Sequence, residues 1–131
     1  MMKTVILSEQ APVPVGAYSQ AIALPFGTGQ RLVFLSGQIA LDPHTGQVVG
    51  GDIVEQTRQV FANIKAILSA SGLDWSHVVK TTVFLANMAD FQAMNAVYAE
   101  YFPVDPPARS CVQVAALPLG VLVEIECVAM G

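Results

Sequence analysis

Two apolar runs near the C-terminus, Ala108 to Ala116 and Val121 to Ile125, are joined by Leu117-Pro118-Leu119-Gly120. Pro118 and Gly120 are turn residues, so both runs read as β-strands. Arg109 enters the first run; Glu124 lies in the second and Glu126 directly after it. A charge in a buried strand is costly unless it is paired or hydrogen-bonded. These three residues therefore need either a partner or a task. The runs also constrain the fold, because two apolar strands must be covered by further layers of the chain.

A chain of 131 residues is a single-domain length, expected to form one domain over residues 1–131. Apolar residues make up 53% of it and charged ones 12%, about half the charge of an average soluble domain. So little charge predicts that apolar surface is hidden in an oligomer. The apolar runs are all interrupted by Gln, Pro or Gly, and none approaches the ~20 residues of a membrane-spanning helix. Net charge is −4, and the six basic residues are scattered with no two adjacent. No basic stripe exists to follow a phosphate backbone, so nucleic acid is not an expected partner. Cys111 and Cys127 form neither a CxxC pair nor a disulfide framework. The N-terminus turns polar too soon for a signal peptide, and a reducing cytoplasmic setting is expected.

Taken in order, Thr4 to Leu7 reads as a short strand, and Ala11 to Gly16 cannot be helix because of Pro12 and Pro14. Ala17 to Leu24 reads as a strand, Pro25 to Gln30 as a hairpin loop, and Arg31 to Ala40 as a strand ending near Ser36-Gly37. Asp52 to Ser71 is the clearest helix, with apolar residues at 53, 54, 60, 61, 64, 67 and 68 on one face. Asp52 and Glu55 have capping-box spacing, and Gly72 follows as a terminator. Val78 to Ala86 reads as a strand and Asp90 to Phe102 as a second helix, stopped by Pro103, Pro106 and Pro107. The order predicts an α+β sandwich, one sheet with two helices on one face.

Six stretches carry a resemblance to a known family: Gly16 to Ala21, Ser36 to Ile39, Asn63 to Leu68, Val79 to Leu85, Asp90-Phe91 with Asn95, and Pro107 to Val112 with Val123 to Glu126. In register over nearly the whole chain, they resemble the RidA (YjgF) family. That resemblance implies a chorismate-mutase-like α+β fold and a homotrimer with clefts between subunits. It also implies cofactor-free hydrolysis of 2-imino acids such as 2-iminobutanoate and 2-iminopropanoate to 2-oxo acids and ammonia. By the same resemblance Arg109 is the substrate-carboxylate binder, Glu124 handles the attacking water, and Tyr18, Ser36, Gly37, Asn95 and Cys111 line the pocket. The loop Pro25 to Gln30 looks longer than in many members, and Ala17 stands where Pro is common.

The chemistry suits these residue types. A planar guanidinium meets a carboxylate with two parallel hydrogen bonds; without the resemblance, Arg109 reads rather as a snorkelling or ion-paired side chain. Adding water to C=N needs a group that takes one proton and gives one, which a partly desolvated carboxylate does. Glu124 is that candidate, and Glu126, on the same strand face, competes with it. Tyr18 can donate a phenolic hydrogen bond, although a strand Tyr commonly just packs. Ser36-Gly37 can offer a backbone N–H or form an ordinary turn. A buried Asn95 must find a partner. Cys111 shares a face with Arg109 but has no His placed to activate it, so it reads as packing. His44 and His77 have no metal-ligand spacing, and no metal is expected. A tight hairpin centred near Leu119 would set Arg109 opposite about residue 129, far from Glu124 at roughly 3.4 Å per residue; that favours a site shared between chains. The alternative readings are a non-catalytic 2-oxo acid-binding regulatory trimer and a ribonuclease.

Overall fold

The computed structural model describes residues 2–131. Six strands form one mixed sheet: β1 (Thr4–Ile6), β2 (Ala21–Phe26), β3 (Gln30–Gln38), β4 (Val78–Leu85), β5 (Ala108–Gln113) and β6 (Val123–Met130). Two helices, α1 (Ile53–Ala70) and α2 (Phe91–Tyr101), pack on one of its faces. The spatial order is β1-β2-β3-β6-β4-β5. β5 runs parallel to β4, as a strand reached through a helical crossover does, and every other pairing is antiparallel.

The register sorts the side chains. One lateral row across all six strands is Ile6, Ala21, Leu35, Cys127, Thr81 and Arg109. It faces the helices and is buried up to its last member. The neighbouring row is Val5, Ile22, Phe34, Val128, Lys80 and Ala108. It faces away from the helices, and Phe34 remains 45% exposed and Val5 59%. The sheet thus has one covered face and one largely apolar face without a cover.

The long helix follows its sequence signals. The Asp52 side chain accepts from the Glu55 N–H at 3.0 Å, although the reciprocal bond from the Glu55 side chain is not formed. At the other end Leu73 N donates to Leu68 O and Gly72 N to Ser69 O, with Gly72 at φ 76°. This is the Schellman closure that a glycine after the last turn permits. Phe61, Ile64 and Leu68 on its inner face are fully buried, each worth roughly 1.5–3 kcal/mol of apolar burial. Phe61 stacks on Tyr101 at 4.3 Å and meets the edge of Trp75 at 5.4 Å. Trp75, in the connection that follows Gly72, is therefore a packing residue.

Four expectations change. The segment 17–20 is loop, not strand, because Ser36 holds it from the side: Ser36 Oγ donates to Ser19 O at 2.6 Å and Ser36 N to Gln20 O at 2.9 Å. The Pro25 to Gln30 loop shrinks to Gly27-Thr28-Gly29, since Pro25 and Phe26 pair with Arg31 and Gln30. Pro25 is tolerated there because β1 pairs with β2 only over Ala21 to Ala23, so no ladder needs its N–H on that side. Ser36-Gly37 does not end its strand but forms a bulge, with two residues of β3 opposite one of β6. Finally, β5 and β6 are not a hairpin. β4 lies between them, and Arg109 is level with Thr81 and Cys127 rather than with residue 129.

Candidate active site

The sequence-predicted residues fall into two groups on opposite faces of the sheet. The first surrounds the C-terminal arginine. Arg109 sits at the outer end of the buried row, on an edge strand, facing α2. Its Nη1 donates to Asn95 Oδ1 at 2.8 Å. Its guanidinium carbon stands 4.6 Å from the centre of the Tyr98 ring and 5.4 Å from that of Phe91. Tyr98 is itself fixed by a 2.7 Å hydrogen bond with Thr81 Oγ1. Two ring faces and one amide oxygen therefore hold the fork in a single orientation. Cys111 lies two residues on along the same face, and burial pushes its thiol up, partly offset by the nearby Arg109 charge. A raised thiol is a poor nucleophile, and Cys111 packs against the core and lines neither cleft.

The other two arginines show what Arg109 lacks. Arg58 pairs with Glu100 at 3.1 Å, and Arg31 donates to Ser71 O. Among the described residues no carboxylate pairs with Arg109, and only its Nη1 is engaged. A shallow cleft bordered by Asn95, Tyr98 and Pro107 opens beside it. The guanidinium has donors to spare and room for an acceptor.

The second group lies across the sheet, around a cleft of ≈ 410 Å³ lined by Tyr18, Ser36, Gly37, Glu124 and Glu126 with Pro12, Val15, Ile39 and Pro118. Glu124 is half-buried, and Glu126 is exposed at the rim. Neither makes an ion pair or a side-chain hydrogen bond among the described residues. Burial holds the Glu124 carboxyl above the usual carboxylate range, with the Glu126 charge adding to the effect. The bulge explains how Glu124 fits. A Cβ on Gly37 would overlap the Glu124 carboxyl, with Cδ only 2.9 Å away. Glycine is required at 37 for the carboxylate to fold over the strand. Gly37→Ala is expected to push Glu124 out toward water, so that its pKa falls back toward the ordinary value while the chain still melts cooperatively. A carboxyl NMR titration of the variant checks this.

Tyr18 reaches the cleft from a loop. Its hydroxyl oxygen accepts from Val15 N–H at 3.2 Å, which leaves the hydroxyl proton free to donate. The Ser36 hydroxyl and N–H are both spent on holding Ser19 and Gln20, so Ser36 shapes the cleft and does not offer its N–H as expected. The Gly27 to Gly29 tip lines neither cleft. Two walls of the arginine site, Tyr98 and Phe91, are residues that the helical pattern marks only as packing. A signal for them is nonetheless present: 91, 95 and 98 fall on one helix face at i, i+4 and i+7.

One chain therefore keeps the arginine cluster and the carboxylate cleft apart. On β6 the register positions of the two differ by three residues, Cys127 against Glu124, and the faces are opposite.

Comparison with known proteins agrees with this fold. The family model described as Endoribonuclease L-PSP matches residues 8–131. A RutC family protein of Pyrococcus horikoshii is 53% identical over 128 residues, covering 98% of each chain. The mouse protein named 2-iminobutanoate/2-iminopropanoate deaminase is 45% identical over 130 residues, 99% of this chain and 93% of that one. The crystal structure of RidA from the Antarctic bacterium Psychrobacter superposes with a TM-score of 0.86 at 42% identity, over 96% of this chain and 98% of the other. With its fold, its motifs and nearly its whole length matched, the chain belongs to the RidA (YjgF) family, whose model carries the name Endoribonuclease L-PSP.

Proposed function

We propose that the protein is a cofactor-free deaminase of small 2-imino acids, working as a homotrimer whose sites are completed between subunits. The observation that carries the reading is the pair of unfinished half-sites: an oriented guanidinium without a counter-ion on one face, and a half-buried carboxylate without a partner on the other. The mouse relative's name supplies the substrate class. The uncovered apolar face supports assembly, and contact between two different surfaces of neighbouring copies closes into a ring where the rotation between copies allows it. Three is the ring size that family resemblance implies. No helix among the described residues is long and apolar enough to cross a membrane. Both cysteines are free, which suits a reducing cytoplasm.

In this reading Arg109 binds the substrate carboxylate through its unengaged N–H groups and sets the C=N carbon toward the neighbouring subunit's cleft. Glu124, as a carboxylate, takes a proton from water while the oxygen bonds to that carbon and the C=N π pair moves to nitrogen. Glu124 then returns the proton to nitrogen. Next it takes the hydroxyl proton and passes it to the same nitrogen; the freed oxygen pair forms the second C–O bond as the C–N bond breaks, and ammonia leaves the 2-oxo acid. A raised carboxyl suits both halves of this shuttle better than an ordinary one. Tyr18 donates to the water or to the carbinol oxygen. Glu126, exposed at the rim, tunes Glu124 through its charge.

The test is release of 2-oxobutanoate and ammonia when the protein is added to threonine and a threonine dehydratase; no acceleration over the spontaneous rate removes the reading. The pH profile is a second check. Glu124 must be ionised to accept a proton, so kcat/KM rises with pH through a midpoint above the ordinary carboxylate range. Glu126→Gln removes a like charge and is expected to move that limb to lower pH.

Arg109 can grip a carboxylate without help from Glu124, and this favours a second reading, a 2-oxo acid-binding regulatory trimer without turnover. Saturable binding of 2-oxobutanoate with no imine hydrolysis would select it. RNA cleavage has less support, because neither cleft holds a basic residue besides Arg109.

A further inference from the structure

The wall of the carboxylate cleft that carries Tyr18 is tied to the sheet at two ends, by Ser36 at Ser19 and Gln20 and by the buried Gln20 side chain at residues 8–12. Residues 7–20 contain no helix or strand. The segment contributes Pro12, Val15 and Tyr18 to the cleft, yet Val13 is 73% exposed and Val15 78%. Only Ala11 within it is deeply buried before Gln20. So little packing leaves such a segment prone to local opening unless hydrogen bonds hold it.

Gln20 supplies them. It is 1% exposed. Its Oε1 accepts from Ser8 N at 2.6 Å, and its Nε2 donates to Ser8 O at 3.0 Å, Pro12 O at 3.0 Å and, more weakly, Ala11 O at 3.4 Å. Its own carbonyl is fixed to the sheet by Ser36 N. The remaining hydrogen bonds of residues 8–16 stay within the segment: Ala11 to Ser8, Gln10 to Ser8, Val15 to Tyr18 and Tyr18 to Gly16. Among the described residues, the Gln20 amide is thus the hydrogen-bonded link between residues 8–12 of this wall and the sheet, while Ser36 holds its far end at Ser19. Only an uncharged amide suits the place, since the site presents one N–H and three carbonyls together and a side chain must both accept and donate.

We infer that Gln20 is a positioning residue, which never meets substrate but sets Tyr18 over the cleft by clipping residues 8–12 to the start of β2. This rests on the deaminase reading for its kinetic consequence, and on the hydrogen bonds alone for its structural one. Two measurements on Gln20→Met test it. Methionine conserves the volume and removes every one of these bonds. Amide hydrogen exchange should quicken by tenfold or more over residues 8–18 and stay at the wild-type rate in α1 and β6. kcat/KM for the imine should fall by about tenfold, as a misplaced contact group costs. In a Tyr18→Phe background the same change should cost little more, because both act through one hydroxyl.

Quickened exchange throughout the protein, unchanged exchange at 8–18, or fully multiplicative losses in the double variant would each overturn the inference. Should Gln20→Met fail to fold, Gln20→Glu takes its place, keeping the acceptor for Ser8 N and losing the donors. If the wild-type protein hydrolyses no imine, the deaminase reading fails, and the exchange pattern alone decides whether Gln20 is the clip.

Discussion

Arg109→Ala is expected to lower kcat/KM for a 2-imino acid by about 10²- to 10⁴-fold while leaving the assembly intact. The magnitude follows from two charge-assisted hydrogen bonds to a carboxylate, each worth roughly 1.5–3 kcal/mol. The loss should fall mainly in KM, because the substrate carboxylate does not change during the reaction and is held equally in ground and transition states. The fold should survive. Arg109 lies on an edge strand, pairs with no carboxylate, and gives up one hydrogen bond to Asn95 and its stacking on Tyr98 and Phe91. Arg109→Lys restores the charge without the fork and should recover only part of the loss. Steady-state kinetics beside analytical ultracentrifugation measure both sides of the claim. Unchanged kinetics in an assembled Arg109→Ala protein would take this residue out of the reaction.

Glu124→Gln should act on the other parameter. Glutamine keeps the shape that lies against Gly37 but cannot take a proton, so kcat should drop by roughly 10²- to 10⁴-fold with binding of 2-oxobutanoate retained. The two variants together report on the shared site. Neither inactive chain has a defect in the half-site that the other lacks. If dissociated Arg109→Ala and Glu124→Gln chains are mixed equally and reassembled, about a quarter of the sites in a ring should contain one intact half from each neighbour. Activity should return to that fraction. No recovery after demonstrated exchange would place both groups in a single chain's site, against their position on opposite faces of the sheet.

Much of this anatomy is legible in the residues themselves. The inner face of α1, its Asp52 cap and its Gly72 stop are local signals, and local physics decides them. The period of two puts Arg109 with Cys111 and Glu124 with Glu126, and both pairs share a face in the fold. Whether the arginine is a buried ion pair is a question the residues leave open. It is answered by Asn95, Tyr98 and Phe91, which gather around the guanidinium on α2.

What the chain alone determined is both helices and the bodies of most strands, which residues share a side of each, and which family the motifs match. The side-chain period and the capping chemistry need only near neighbours. The tertiary structure decided which strands touch. β4 entered between β5 and β6 because α2 returns the chain parallel to β4, which set the arginine two strands from the glutamate, and the odd offset of Cys127 against Glu124 put them on opposite faces. It also decided the bulge that seats Glu124 on Gly37 and the amide that clips the Tyr18 loop. These rest on hydrogen bonds between residues distant in sequence, and no local pattern carries their register.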